Sequence, residues 1–152
     1  MIQYFDASQV ARELVPVEVI AQLHQTLRAE AQAYVFVGAA ARDLAVHAPS
    51  GTRMVRATRD VDVAVGIQAG TEHDALLRRL GEPTAAPQRV RVSGVDVDVI
   101  PFAGGTTDVR LGHSVLDVTG LADAAREPTW VKIADDLTVP VASIAAQAVL
   151  KV

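Results

Sequence analysis

Along residues 59 to 67, RDVDVAVGI, valine alternates with acidic or small residues. This period of two places Val61, Val63 and Val65 on one face of a strand and Asp60 and Asp62 on the other. The same period recurs in RVRVSGVDVDVIPF, residues 89 to 102, where two alternating runs flank Ser93-Gly94, a pair suited to a two-residue hairpin turn. That turn sets a register in which Val92 faces Val95, Arg91 faces Asp96 and Arg89 faces Asp98. One face of the hairpin is then valine and the other alternating charge. Residues 8 to 32 follow the helical period instead, with Ile20, Leu23 and Leu27 as an apolar stripe, Ser8 as the cap and a break near Pro16. AYVFVG, residues 33 to 38, predicts a short strand ended by Gly38, and AAARDLAVH predicts a return to helix. APSGTRMVRAT, residues 48 to 58, has no period and reads as a loop. EHDALLRRLG predicts a short amphipathic helix stopped by Gly81, followed by the connector EPTAAP. Beyond the loop AGGTTD, the segments SVLDV, WVKIA and LTVPV predict strands, and VASIAAQAVLKV predicts a helix that runs off the end of the sequence. The expectation is one domain over residues 1–152, α/β (α+β) in class, with a mixed β-sheet, flanking helices and a C-terminus that is cut short.

Composition narrows the chemistry. With 152 residues, half of them apolar, the chain suits one compact core. The absence of cysteine excludes disulfides, thiolate metal sites and a cysteine nucleophile, so any metal is held by oxygen or imidazole. His24, His47, His73 and His113 show no paired ligand spacing. No Gly-x-Ser-x-Gly elbow or Walker loop is present. No apolar run approaches the roughly twenty residues that span a bilayer, and the N-terminus lacks a basic region followed by an apolar one. No membrane partner is expected, and a cytoplasmic location follows by default. The net charge of −4 argues against a general nucleic-acid sponge. Lys132 and Lys151 are the only lysines, and Arg53, Arg56 and Arg59 cluster just ahead of the two acids. A GC-rich coding bias accounts for the arginine excess but not for the cluster's position, and arginine's planar fork suits phosphate.

Two acids two apart on a strand have Cα atoms roughly 6.5 Å apart on one side and can converge on a hard cation. A lone Asp-x-Asp is most often an exposed strand face. Here a second pair, Asp96 and Asp98, lies on a second valine strand. Adjacent placement collects like charges that repel unless cations compensate them. A divalent metal is one compensation. The other is the hairpin's own arginines, Arg89 and Arg91, which make the pair an ordinary ion-paired surface, with Asp96 the acid expected to be engaged in this way. Gly38, at a strand end before a helix, permits close approach of a phosphate to backbone N–H groups. Arg42 and Asp43 read as a structural pair at the helix start, and Trp130 as packing.

Together, VFVGAAARDLAVH, RATRDVDVAV and VDVDVIPF resemble the polymerase β-like nucleotidyltransferase superfamily over residues 33 to 102. VGAAARDL is similar to the Gly-Gly-x-x-Arg-Asp stretch of CCA-adding and poly(A) enzymes. The long loop before the acids and the tail look more like the abortive-infection nucleotidyltransferase toxins. The resemblance implies a nucleotidyltransferase-like palm domain. It implies Mg2+-dependent transfer of NMP from an NTP to a hydroxyl of RNA such as tRNA, a protein or a small molecule, with a toxin–antitoxin pairing as the specific version. Residue by residue it implies Asp60, Asp62 and Asp98 as catalytic acids on two Mg2+ (or Mn2+) ions. Gly38, the amides of Ala39 and Ala40, Arg56, Arg59 and Lys151 are implied as nucleotide contacts. Ala39 stands where the family has a second Gly or Ser. The alternatives are a non-catalytic module of the same fold, a nucleotide-sugar glycosyltransferase and an aspartyl phosphatase. The last usually has Gly-Thr where this chain has Val63-Ala64.

Overall fold

The computed structural model describes residues 3–30, 33–51 and 60–150. Its centre is β3 (Val61–Val65), which pairs antiparallel with β2 (Tyr34–Val37) and parallel with β6 (Val95–Pro101). Outward from β6 run β5 (Arg89–Val92) and β4 (Glu82–Pro83), and outward from β2 run β10 (Leu137–Val141), β9 (Thr129–Ala134) and β1 (Gln3–Asp6). The eight strands form one mixed sheet in the order β1-β9-β10-β2-β3-β6-β5-β4. A separate hairpin joins β7 (Asp108–Leu111) to β8 (Ser114–Asp117). Flanking the sheet are α1 (Ala11–Leu14), α2 (Val17–Ala29), α5 (Thr71–Leu80), α6 (Leu121–Arg126) and α7 (Ile144–Gln147). Between β2 and β3, a helical run passes from α3 (Gly38–Arg42) through a π-helical turn (Asp43–His47) into α4 (Ala48–Ser50).

The period-two reading of the two central segments is borne out. Val61, Val63, Val97 and Val99 are buried and lie in register across β3 and β6, and Val90 joins them from β5. Opposed residues on paired strands share a face, so this is one apolar surface. α2 covers it, since Tyr34 lies in register with Val65 and its hydroxyl hydrogen-bonds His24 of α2. α5 joins α2 through Arg79, which donates to Glu30 at 2.7 Å, and joins β6 through His73 Nε2, which donates to the Val99 carbonyl at 2.8 Å. The core is therefore the valine face packed against Ile20, Leu23 and Leu27 of α2 and Leu76, Leu77 and Leu80 of α5, all buried. Each such leucine contributes roughly 2 kcal/mol of hydrophobic stabilisation.

Several expectations are corrected. Helix does not begin at Ser8, whose amide and hydroxyl both donate to the Asp6 carboxylate in a tight turn after β1. The break at Pro16 is present, since the proline precedes the first turn of α2. Ala48–Ser50 are helical rather than loop, continuing the run out of the π-helical turn, and Gly51 at φ +68° ends it. The connector EPTAAP supplies a two-residue edge strand, β4. The final helix spans only four residues and is capped by Ser143 Oγ, which accepts from the Ala146 amide at 3.1 Å. Among the described residues, no helix is long and apolar enough to cross a membrane.

Candidate functional site

The Ser93-Gly94 turn has positive φ at both residues, 49° and 79°, the conformation whose twist matches two antiparallel strands. It sets the anticipated register, with Arg91 opposite Asp96 and Arg89 opposite Asp98. The parallel pairing of β6 with β3 then puts Asp98 beside Asp62. Across four strands, Val37, Asp62, Asp98 and Arg89 form one row on the face opposite the buried valines. Asp60, exposed, lies just before β3 begins.

Gly38 completes this arrangement for two independent reasons. Its φ of +68° lies in the left-handed region that favours glycine. A Cβ at this position would also overlap Oδ2 of Asp62. The Asp62 carboxylate thus occupies the space that a side chain would fill, at the first residue of the helical run. Ala39 and Ala40 follow in that first turn, with Ala40 buried.

The electrostatics show strain at Asp62. Burial first, then the like charges of Asp98 and Asp60, push its carboxyl up to about 6, with Arg89 partly offsetting them. Among the described residues, Arg89 is the counter-cation of Asp98 and partly offsets the charge around Asp62. Its Nε donates to Asp98 Oδ1 at 2.8 Å and its Nη2 to Asp98 Oδ2 at 3.4 Å, while Nη1 lies 3.9 Å from Asp96 Oδ2. Arg91 donates to Asp96 at 3.1 Å. Both acids of the hairpin are therefore ion-paired. Asp96 is engaged by Arg91 as expected, and Asp98 is engaged as well, in a two-point fork with Arg89.

Oxygen-only donors on adjacent strands, with Asp62 destabilised by its own neighbours, have the chemistry that a hard divalent cation requires. The missing Cβ at Gly38 lets the Asp62 carboxylate sit against the start of the helical run. Nevertheless, among the described residues no group of three His, Asp or Glu side chains converges as a ligand set. Both oxygens of Asp98 accept from Arg89.

Arg56, Arg59 and Lys151 lie outside the described residues, as does Arg53. Asp43 is fully buried, with His47 Nε2 3.9 Å from its Oδ1, a contact that the Arg42–Asp43 reading missed. The i, i+4 spacing of the two residues was its available signal. A cleft of about 570 Å³ elsewhere, lined in part by Arg12, Glu18, His24, Arg28 and Asp136, holds none of the expected site residues. Scanned against protein-family models, the chain matches none, and among curated proteins no match is found.

Proposed function

We propose that this chain is a divalent-metal-dependent nucleotidyltransferase with a palm-like sheet, transferring NMP from an NTP to a hydroxyl acceptor. The observation that carries the reading is the junction of Gly38 with Asp62. A side-chain-free helix start lies directly against the first embedded acid of a carboxylate row, and the third acid, Asp98, is its parallel-strand neighbour. The order in the chain, glycine at the helix start, acids on the next strand and a further acid on the strand beside it, is the order that the family resemblance implies.

In this reading Asp60, Asp62 and Asp98 would hold Mg2+ or Mn2+. Bound there, the metal would activate the acceptor hydroxyl and stabilise charge on the departing pyrophosphate. The chain's own contribution is positional. Gly38 lets the Asp62 carboxylate sit against the helix start, beside the amides of Ala39 and Ala40 that would hold phosphate oxygens. The acceptor oxygen forms a bond to the α-phosphorus as the bond to pyrophosphate breaks, and its proton leaves to Asp98 or to solvent. An RNA, protein or small-molecule acceptor and an antitoxin partner follow from the resemblance to abortive-infection toxins.

Calorimetric titration of each NTP, with and without Mg2+, into the wild type and Asp60→Asn/Asp62→Asn tests the reading. We expect binding that requires Mg2+ and weakens at least about tenfold in the variant, the loss of charge-dependent contacts worth roughly 1.4 kcal/mol or more. Equal binding in both proteins, or binding indifferent to Mg2+, would overturn it. The commitment of Asp98 to Arg89 favours one second reading, a nucleotide-binding module that does not catalyse. Mg2+-dependent NTP binding with no transfer to any supplied acceptor would select that reading.

A further inference from the structure

The position of Arg89 rests on the register of the hairpin rather than on a chance surface encounter. Sitting directly opposite Asp98, it uses two of its nitrogens on the two oxygens of one carboxylate. Such a two-point fork fixes the carboxylate plane as well as neutralising its charge. The same guanidinium interacts electrostatically with Asp60, Asp62 and Asp96. Among the described residues, this monovalent cation is thus placed among four acids, at the position where the proposed reaction calls for divalent ones. While the fork is closed, both Asp98 oxygens accept from Arg89, and the described residues contain no converged set of three ligands.

We propose that Arg89 is a latch on the site: an internal counter-cation that holds Asp98 in the metal-free protein and competes with the divalent cation for it. Metal loading then requires the fork to open, so metal affinity is set by Arg89 as well as by the acids. The inference rests on the nucleotidyltransferase reading. The hairpin also supplies its own control. Arg91 pairs with Asp96 one step nearer the turn, carries the same charge and is more exposed, but does not touch Asp98. Removing either arginine makes the face more negative by one unit, and only Arg89 removal frees the third acid.

The test is Mn2+ binding, read from the loss of the free-ion EPR signal, in the full chain and in Arg89→Gln, Arg91→Gln and Arg89→Gln/Asp98→Asn, with and without ATP. Circular dichroism checks each fold. Arg89→Gln is expected to tighten Mn2+ about tenfold, the equivalent of one charge-assisted fork removed from competition. Arg91→Gln should stay within about twofold of wild type, as expected for an exposed pair, and the double variant should lose the gain. Arg89→Lys, which keeps the charge but cannot fork, should fall between wild type and Arg89→Gln, and serves if the glutamine variant folds poorly. If wild type binds Mn2+ with ATP and Arg89→Gln binds no tighter, or Arg91→Gln gains equally, the latch is overturned while the functional reading stands. If no variant binds Mn2+ with or without ATP, both are overturned.

Discussion

At the scale of single residues, Asp62 and Gly38 are each other's explanation. The Asp62 carboxyl is raised to about 6, from an ordinary value of 3.8, chiefly by burial and then by Asp98 and Asp60. The native state therefore binds this proton more tightly than the unfolded chain does between those two values, and stability falls as pH rises through about 6. Above that pH the ionised group carries a penalty of about 1–2 kcal/mol after screening by solvent. Asp62→Asn is accordingly expected to raise Tm by about 2–8 °C at pH 7.5, from a slope of roughly 2–4 °C per kcal/mol for a chain of this size. The gain should vanish toward pH 4, and thermal melts across that range check it. A fold whose melting is indifferent to the substitution at pH 7.5 would show Asp62 to be well solvated. Gly38→Ala has two costs, roughly 1–2 kcal/mol for a left-handed backbone and more for the overlap with Asp62 Oδ2. The double variant Gly38→Ala/Asp62→Ser removes the overlap but not the backbone strain. A mutant cycle in denaturant should therefore show strong coupling between the two positions. Additive effects would mean that the carboxylate does not occupy that space.

At the scale of elements, what was legible in the sequence was what is local and two-sided. The hairpin register could be read because both of its faces are patterned and its turn is two residues long, so a slip of one residue would invert every side chain. Gly94 tests this: its φ of +79° demands glycine, but a Cβ there meets nothing within 4 Å. Gly94→Ala should cost only the backbone term, about 1–2 kcal/mol, clearly less than Gly38→Ala, as compared by urea unfolding. An equal cost at both glycines would remove the steric argument for Gly38. What was not legible has physical reasons. β1, QYFD, is a mostly exposed edge strand with no alternation, and its parallel partner β9 lies more than a hundred residues away. β7 is short and follows a run of Gly and Thr that reads as loop. α6 spans six residues and follows Gly120 at positive φ, without a side-chain cap to announce it. The pairing of β3 with β6 was also invisible in the local pattern, although it is what joins Asp62 to Asp98. The acids of the hairpin and the arginine facing each of them could be named from the sequence, because the two-residue turn fixes both.

At the scale of the whole molecule, the sheet joins two distant regions. The acid row lies on β3 and β6, whereas the chain's only tryptophan, Trp130, lies on β9 in register with Tyr4 of β1 and Pro140 of β10. Between them β10 meets β2 through a single register pair, Val141 with Phe36, reinforced by the Ala142 amide donating to the Phe36 carbonyl at 2.9 Å. This narrow seam also explains how Pro140 is tolerated within the sheet, since β10 there is close to being an edge. Whether the molecule unfolds as one unit is decided at that seam. The buried cluster is continuous across it, with Phe36, Val141, Val139 and Val131 all buried. Burial on this scale couples elements more strongly than one pair of hydrogen bonds does. Trp130 fluorescence and far-ultraviolet circular dichroism should therefore give coincident unfolding transitions. Gly38→Ala, on the β2 side of the seam, should shift both midpoints equally. If the fluorescence transition stayed in place while the dichroism split into two, β1, β9 and β10 would be a separately folding unit. Stabilisation by metal and nucleotide at the acid row would then leave Trp130 silent, so this melt also determines whether intrinsic fluorescence can report on binding at the candidate site.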